Sequence, residues 1–345
     1  MTTAPGRQRV SVAAAQISGG LFNSGRAVDR LLEAMSDASS RGIELLVLPE
    51  CFIGGYPYWR GHVSVKQGTE LGARLCESAI RASGPEVAAI AAHAVTLGLS
   101  VVVGVNERDE QPGSSSAYNS VFAFSPEVGF VGGRRKLVPT HTERAYWGSG
   151  GAQDVRTFSM PFGEVGALIC YEHHMLPSRL AMALLGEEIH CALWPGYWQT
   201  LSHIADKQPG PAAQDAEIDA HVRNYAMTSQ NFVVSANAIL LDSDVPDDLR
   251  DLLGYNLARG GSSVVDASGR YLAPPRHDEE CLVQATLDFW DRSLTKSYLD
   301  TVGHYARWDV FDLRLAGRSL TDPAQRPLDP SDDGAQRDDG LTIPA

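Results

Sequence analysis

The chain contains a series of short apolar runs, each of which stops at a proline, a glycine or a charged residue. Runs of about four to eight apolar, often β-branched residues that are bounded in this way are typical of buried strands. The pattern predicts strands over residues 10–17, 43–48, 99–105, 118–124, 130–135, 165–169, 191–194, 232–236, 262–266 and 282–287.

Between these runs, apolar residues recur at helical spacing. Helices are predicted over residues 24–41, 65–83, 86–97, 179–186 and 217–229, and hairpin turns over residues 126–129 and 267–270. The glycine pairs 132–133 and 260–261 are interpreted as turns, since neither opens a helix that could hold a phosphate. Strands that alternate with helices, with hairpins among them, favour one α/β domain in which mixed sheets are covered by helices on their outer faces.

Composition narrows the class of protein. The chain has 345 residues, 43% of them hydrophobic, which is enough to bury a large core. A net charge of −13 argues against nucleic acid or an anionic membrane as partner. The five cysteines suggest no disulfide framework, and neither a signal peptide nor a membrane span is evident, so we expect a cytoplasmic protein. We expect the domain to cover residues 1–319 and the acidic residues 320–345 to form a disordered tail.

Three of the predicted strands end next to a residue with useful chemistry. Glu50 follows the strand that stops at Pro49, Lys136 follows residues 130–135, and Cys170 follows residues 165–169. In open α/β sheets, ligand sites gather outside the carboxyl ends of the strands. A carboxylate can take the proton of a thiol, and an ammonium group lowers the cost of a thiolate and stabilises negative charge on a substrate. Each residue alone could be structural, but the three together predict a nucleophilic site.

The segments around these residues resemble the three catalytic blocks of the nitrilase superfamily of carbon–nitrogen hydrolases. The blocks are LPE at residues 48–50, RKLVPT at 135–140 and LICYE at 168–172. Further segments are similar to the nitrilase branch proper: GYPYW at 55–59, TER at 142–144 followed by WG at 147–148, GEEIH at 186–190 and VGHY at 302–305. The resemblance covers roughly residues 8–310.

This resemblance implies an α/β fold of four layers, an αββα sandwich of two mixed sheets flanked by helices. It also implies homodimers, which can extend to higher oligomers or spiral filaments, and neither a metal nor an organic cofactor. By motif, Cys170 is the nucleophile, Glu50 the general base, Lys136 the cation that stabilises the oxyanion, and Glu143 a second glutamate that holds the substrate and the lysine. The main-chain N–H of Tyr171 is expected to face the oxyanion.

The reaction implied is hydrolysis of a small-molecule nitrile to a carboxylic acid and ammonia through a cysteine thioimidate and an acyl-enzyme. Nitrilases usually carry Cys-Trp-Glu at the nucleophile, whereas this chain has Tyr171. A tyrosine is more frequent in the amidase-like branches, although those usually continue with Asp or Gly rather than Glu172. An amidase, or release of the amide from a nitrile, is therefore the alternative. A non-catalytic assembly module is the alternative from another class, and the intact set of catalytic residues argues against it.

Five aromatic residues adjoin the matched blocks and are candidates for the walls of a substrate pocket, which would suit aryl or arylaliphatic nitriles: Tyr56, Trp147, Trp194, Tyr197 and Trp198. Core packing is the competing interpretation of these side chains.

Two other chemistries are less favoured. A metal site built on Cys170, His173 and His174 lacks a second cluster at ligand spacing, because the other histidines are scattered along the chain. A Cys-His protease with His141 or His304 as base would leave the glutamate and the lysine at the strand ends unexplained.

Overall fold

A computed structural model describes residues 8–60, 63–196, 211–253 and 258–322. The chain divides into two compact units, Met1–Ala306 and Arg307–Ala345. Within the described part of the first unit, no helix is both long enough and apolar enough to cross a membrane.

The first unit contains two six-stranded sheets. The strands of the first sheet are β1 (Arg9–Gln16), β2 (Leu45–Val47), β3 (Ser100–Arg108), β4 (Ala117–Ser125), β5 (Gly129–Arg135) and β12 (Cys281–Asp288), in the order β12-β1-β2-β3-β4-β5. Those of the second sheet are β6 (Phe158–Met160), β7 (Gly163–Ile169), β8 (Ile189–Trp194), β9 (Phe232–Asn237), β10 (Gly260–Val265) and β11 (Tyr271–His277), in the order β11-β10-β9-β8-β7-β6.

Both sheets are mixed in the same way. A parallel trio, β1-β2-β3 in one sheet and β7-β8-β9 in the other, is flanked by antiparallel strands. Parallel strands need crossover connections, and helices supply most of them. The helices of this unit are α1 (Ser24–Ser40), α2 (Val65–Glu77), α3 (Pro85–Leu97), α4 (Leu176–Leu184), α5 (Pro211–Ser229), α6 (Asp247–Leu253) and α7 (Phe289–Tyr298).

The two sheets pack face to face over the main apolar core. Side chains such as Val12 and Val47 of the first sheet belong to one buried cluster with Ala167 and Val234 of the second. On the outer face of the first sheet, α1 and α3 bury a second cluster, and on the outer face of the second sheet, α4 and α5 are buried through residues such as Met182. The layer order is therefore α, β, β, α, which confirms the predicted sandwich.

Every strand that the apolar runs predict is present, with ends that differ by a few residues. The runs did not predict β6, β11, α6 or α7. Strand β11 contains Pro274 and Pro275, which an edge strand tolerates because its outer side needs no ladder hydrogen bond. Helix α2 ends at Glu77 rather than at residue 83, because Ile80 leaves the helix to form a bridge with β3.

The two glycine pairs that we interpreted as turns lie inside strands, so that interpretation was wrong. Gly132 lies in β5 and Gly260 in β10, and both have a positive φ where the strand register shifts. Such a bulge uses glycine because a left-handed backbone conformation costs it little. Each pair therefore bends a strand without ending it.

The second unit is described only as far as residue 322. It contains a short hairpin of β13 (Arg314–Leu315) and β14 (Arg318–Ser319), whose turn residues Ala316 and Gly317 both have positive φ, as tight hairpin turns require. Residues 323–345 lie outside the described part of the chain, so the acidic tail and the domain limit at residue 319 stay predictions.

Candidate active site

A buried ion cluster lies where β2 and β5 of the first sheet end. Lys136, directly after β5, places its Nζ 3.1 Å from Oε1 of Glu50 and 2.8 Å from Oε2 of Glu143. All three side chains are at most 1% exposed. Each buried charge costs free energy of folding, so an ammonium group between two carboxylates and away from water indicates a functional role.

Glu50 reaches this cluster through a tight approach of two backbone segments. A side-chain carbon at Gly104 of β3 would collide with the main chain of Pro49 and Glu50, so glycine there lets the Glu50 turn lie on the sheet. Asn119 of β4 donates from Nδ2 to Oε1 of Glu50 at 2.6 Å. The other oxygen, Oε2, is buried and accepts no hydrogen bond from any described residue. Oε2 is therefore the atom of Glu50 that can accept a proton.

Glu143 lies on a turn of 3₁₀ helix, His141–Ala145, and both of its oxygens are occupied. Oε1 accepts from the hydroxyl of Tyr56 at 2.5 Å, and Oε2 accepts from the main-chain N–H of Thr140 at 2.7 Å as well as from Lys136. Tyr56, which we predicted as a pocket wall, thus holds the second glutamate. Fully engaged hydrogen bonds suit Glu143 to positioning the lysine rather than to moving protons.

The electrostatics separate the two carboxylates. Burial raises the pKa of Glu50 to about 7, with Lys136 opposing the rise and Glu143 adding to it. Burial also acts to raise the pKa of Glu143, but Lys136 and the bound donors outweigh it, and the pKa lies below its usual value. For Lys136, burial acts to lower the pKa, and the two carboxylates reverse this and hold it well above its usual value. At neutral pH the lysine is charged, Glu143 is ionised and Glu50 can gain or lose a proton.

Cys170 lies directly after β7, at the start of a turn of 3₁₀ helix, Cys170–His174. Its φ is +49°, a conformation that costs energy for a residue other than glycine and that recurs where a nucleophile is presented at a sharp turn. Burial, together with the charge of Glu50, raises the pKa of the thiol well above its usual value, while Lys136 acts in the opposite direction. The thiol is therefore neutral at rest and needs a base before it can attack.

A second buried ion pair joins the nucleophile turn to the lysine strand. Glu172 accepts two hydrogen bonds from the guanidinium of Arg134, at 2.7 and 2.6 Å, and one each from the N–H groups of Leu137 and Ile169, both at 2.8 Å. Arg134 and Leu137 lie on either side of Lys136 in the chain. One carboxylate thus fixes the distance between the turn that carries Cys170 and the segment that carries Lys136.

Two buried histidines, His173 and His190, connect the nucleophile turn to Glu187 through hydrogen bonds. Nδ1 of His173 lies 2.7 Å from the main-chain oxygen of Cys170, and its Nε2 lies 3.0 Å from Nε2 of His190. Nδ1 of His190 lies 2.7 Å from Oε1 of Glu187. A carbonyl oxygen only accepts, so Nδ1 of His173 carries a hydrogen, and the pKa of His173, lowered by burial and by His190, keeps its Nε2 an acceptor. Nε2 of His190 then donates to Nε2 of His173. A further proton lies between Nδ1 of His190 and Oε1 of Glu187.

The remaining predicted residues have mixed outcomes. Trp147 is buried, donates to Oδ1 of Asn106 at 2.8 Å, and packs against Tyr56. Trp194 is buried and stacks on His173 with ring centroids 4.6 Å apart. Both are therefore core and support residues. Tyr197 and Trp198 lie outside the described residues. The main-chain N–H of Tyr171 as an oxyanion donor stays a prediction.

Neither histidine considered as the base of a Cys-His protease is placed for that role among the described residues. His141 and His304 are exposed, whereas Cys170 is buried. The histidine that does contact the nucleophile residue, His173, bonds its main-chain oxygen rather than its sulfur. Five residues around the site were not predicted as site residues: Asn119, Arg134, Glu172, His173 and Glu187. Glu172 and Glu187 lie in the matched segments 168–172 and 186–190, and the signal for the other three was a polar or charged residue inside an otherwise buried segment.

Comparison with known proteins agrees with this geometry. A family model described as carbon-nitrogen hydrolase matches residues 11–296. The chain belongs to the carbon–nitrogen hydrolase family.

Relatives place this family member on the nitrilase branch. It is 33% identical over 314 residues to a protein named nitrilase from Paraburkholderia phymatum, which covers 90% of this chain and 87% of the relative. It is 34% identical over 319 residues to an aliphatic nitrilase from Rhodococcus rhodochrous, which covers 90% of this chain and 83% of the relative. Its fold is similar to that of a carbon-nitrogen hydrolase from Helicobacter pylori, with a TM-score of 0.66 and 19% identity over 88% of this chain and 97% of that one.

Proposed function

We propose that the protein is a nitrilase, which hydrolyses an organic nitrile to the carboxylic acid and ammonia. The observation that carries this proposal is Lys136, buried between two glutamates whose pKa values are shifted in opposite directions. Glu50, with a pKa of about 7 and one oxygen without a donor among the described residues, has the properties of a general base that must also return the proton. The nitrilases among its relatives support the same reaction.

In the first step that we propose, Oε2 of Glu50 takes the proton of the Cys170 thiol as the sulfur attacks the nitrile carbon. One π bond of the nitrile breaks, and its electrons move to nitrogen. Glu50 returns the proton to that nitrogen, which gives a neutral thioimidate. The ammonium of Lys136 stabilises the negative charge that develops during this step.

The next steps consume two waters. Glu50 removes a proton from the first water, whose oxygen adds to the thioimidate carbon, and the proton passes to nitrogen, so the tetrahedral carbon carries one hydroxyl and one amino group. The hydroxyl proton then passes to the amino group as the carbon–nitrogen bond breaks, which releases ammonia and leaves a thioester. A second water, activated in the same way, breaks the carbon–sulfur bond, releases the acid and restores the thiol. We propose that Lys136 and the N–H of Tyr171 stabilise the tetrahedral oxygen.

The competing product arises from the same intermediate. If the carbon–sulfur bond breaks before the carbon–nitrogen bond, the product is an amide and no ammonia is released. Glu172 supports the nitrilase assignment, since the amidase-like branches usually carry Asp or Gly at its position. Its four hydrogen bonds tie the nucleophile turn to the lysine segment. The ring of Tyr171 is half-buried and packs against His174.

We further propose that aryl or arylaliphatic nitriles are preferred. Tyr56 lies beside the ion cluster, with its hydroxyl on Glu143, and lines a small cavity together with Glu50. Trp147 packs against Tyr56, whereas Trp194 stacks on His173. Assembly into homodimers stays a prediction of the family resemblance, which sedimentation of the purified protein can check.

The proposal is tested by measuring ammonia release from a panel of aliphatic, aryl and arylacetonitriles, with the matching amides as controls. We expect the nitriles to react faster than the amides, and Cys170→Ala to abolish turnover while its melting temperature stays near that of the wild type. Cys76→Ala is the matched control, because Cys76 is a partly buried residue of α2 whose thiol donates to the Ser115 carbonyl. Turnover by the Cys170→Ala variant would overturn the nucleophile, and faster amide hydrolysis would overturn the assignment as a nitrilase.

A further inference from the structure

Three side chains of metal-ligand type meet at the surface beside the nucleophile turn. His174 ends the 3₁₀ turn that begins at Cys170, and Glu217 and His221 lie on α5. Nε2 of His174 lies 3.1 Å from Oε1 of Glu217 and 2.9 Å from Nε2 of His221. The three ligand atoms all lie within 4.8 Å of one another, and among the described residues no other group of three meets this criterion. The histidines that are scattered along the sequence are thus brought together by the fold.

Hydrogen bonding alone does not satisfy these atoms. A carboxylate oxygen only accepts, so the contact with Glu217 requires a hydrogen on Nε2 of His174. That nitrogen then has no lone pair, and its one hydrogen also faces Nε2 of His221. Two imidazole nitrogens and one carboxylate oxygen therefore face one another with a single hydrogen among them. When deprotonated, each of the three atoms has a lone pair directed at the same position. A metal ion at this position would accept all three lone pairs at once.

We propose that His174, Glu217 and His221 bind one divalent transition-metal ion of the class that favours imidazole ligands, for which zinc is the probe. Two imidazole nitrogens and a carboxylate oxygen are ligands that this class accepts, with open positions left for water. Glu217 and His221 are four residues apart and so lie on one face of α5, the spacing that helix-borne zinc ligands use. With zinc–nitrogen bonds of about 2.0–2.1 Å and tetrahedral angles, two ligand nitrogens lie about 3.3 Å apart. The observed 2.9 Å therefore needs a shift of only a few tenths of an ångström.

Access and charge also suit an ion. The side chain of His174 is 49% exposed and that of Glu217 is 23% exposed, so an ion can enter from solvent. Glu217 supplies one negative charge. Among the described residues, the positive charge of Arg179 acts on His221, but its guanidinium is engaged further along α5, at 2.8 Å from Asn224 and 2.9 Å from Thr228. The arginine is therefore held by other partners instead of occupying the site.

An ion bound at this site would lie close to the nucleophile turn. The ring of His174 packs edge-on against Tyr171, with centroids 4.8 Å apart, and Tyr171 follows Cys170 directly. An ion bound to His174 and to two residues of α5 would cross-link the nucleophile turn to that helix. We expect metal to stabilise the folded protein, and this inference does not depend on which carbon–nitrogen bond the protein cleaves.

The test is a calorimetric titration of tag-free, chelator-treated full-length protein with zinc chloride. We expect one ion per chain in the wild type. The affinity for zinc should be weaker by about tenfold or more in His174→Asn, Glu217→Gln and His221→Asn, since even changes to residues that only contact a ligand lower metal affinity about 10- to 100-fold. His93→Asn is the matched control, because its imidazole bonds Ser36 on another helix pair. Unchanged affinity in all three ligand variants would overturn the site.

A second measurement separates this site from the nucleophile thiol, which also attracts zinc. Cys170→Ala should bind zinc as the wild type does, and cobalt bound to the protein should lack the charge-transfer absorption that a thiolate ligand produces. Circular dichroism of each ligand variant shows whether it is folded. Loss of binding in Cys170→Ala, or a thiolate band with cobalt, would assign the ion to the cysteine and refute the proposal.

Discussion

Replacing Glu50 with glutamine should inactivate the protein and at the same time make it more stable at neutral pH. In the folded protein the pKa of Glu50 is about 7, against 4.5 for an ordinary glutamate. A raised carboxyl pKa means that the fold favours the neutral acid over the anion. Glutamine resembles the neutral acid in shape, and it can still accept from Lys136 and Asn119 through its oxygen. Its amino group replaces Oε2, which accepts no hydrogen bond from the described residues, so no bond is lost there.

The size of the effect follows from the shift in pKa. A change of one pKa unit corresponds to about 1.4 kcal/mol, so ionised Glu50 costs the folded state about 3 kcal/mol relative to the neutral acid. Below pH 4.5 the carboxyl is protonated in both states, and the cost is absent. As pH rises towards 7, the unfolded chain loses this proton first, and the wild type loses stability. Above about pH 7 both states are ionised and the full cost is present.

The assay is urea denaturation of wild type and Glu50→Gln from pH 4 to pH 8, with refolding from urea as a check of reversibility. The difference between the two curves removes the titrating groups that do not interact with Glu50. We expect the two proteins to be equally stable near pH 4 and the variant to be about 3 kcal/mol more stable at pH 8. Ammonia release by the variant should fall by at least about 100-fold, the lower end of what a general base contributes.

Glu143→Gln is the matched control, because its effect should have the opposite sign. The pKa of Glu143 is lowered, and both of its oxygens accept hydrogen bonds. The ionised form therefore stabilises the fold above the unfolded pKa of 4.5, and this stabilisation is lost as pH falls below it. A glutamine variant at residue 50 that is less stable at every pH, or a difference that does not change with pH, would refute the reasoning.

Three further predictions follow from the site. The value of kcat/KM should fall as pH drops through about 7, because Glu50 must be ionised to take the thiol proton; a pH–rate profile flat down to pH 5 would contradict this. Glu172→Gln should lower the free energy of unfolding by about 3–5 kcal/mol, measured in urea, since it removes the carboxylate that forms the buried ion pair with Arg134. His173→Phe keeps the stack on Trp194 but loses the hydrogen bond to the Cys170 carbonyl. Steady-state kinetics should therefore show kcat reduced by about 10- to 100-fold with KM nearly unchanged. An equal change in kcat and KM would indicate a general structural effect.

The apolar runs determined most of the fold because burial imposes a local pattern on each strand. Residues 43–48, 130–135 and 165–169 could each be identified without their neighbours in space, and each ends beside one of the three proposed catalytic residues. Elements with a weak local pattern were missed: β11 carries two prolines, and α6 has only seven residues. Turn chemistry at Gly132 and Gly260 was ambiguous, because glycine serves a bulge as readily as a turn.

Only the tertiary structure decided which side chains act on one another. Tyr56 is a pocket candidate by position, yet it lies 87 residues from Glu143 in the chain and bonds it directly. Likewise, His174 and His221 are 47 residues apart and lie 2.9 Å from one another. Residue spacing determines which element a side chain lies on. The partners of a side chain depend on sheet register and helix packing, and therefore on the whole core. The residues at the strand ends could thus be identified from the sequence, whereas their neighbours and their pKa values depend on the fold.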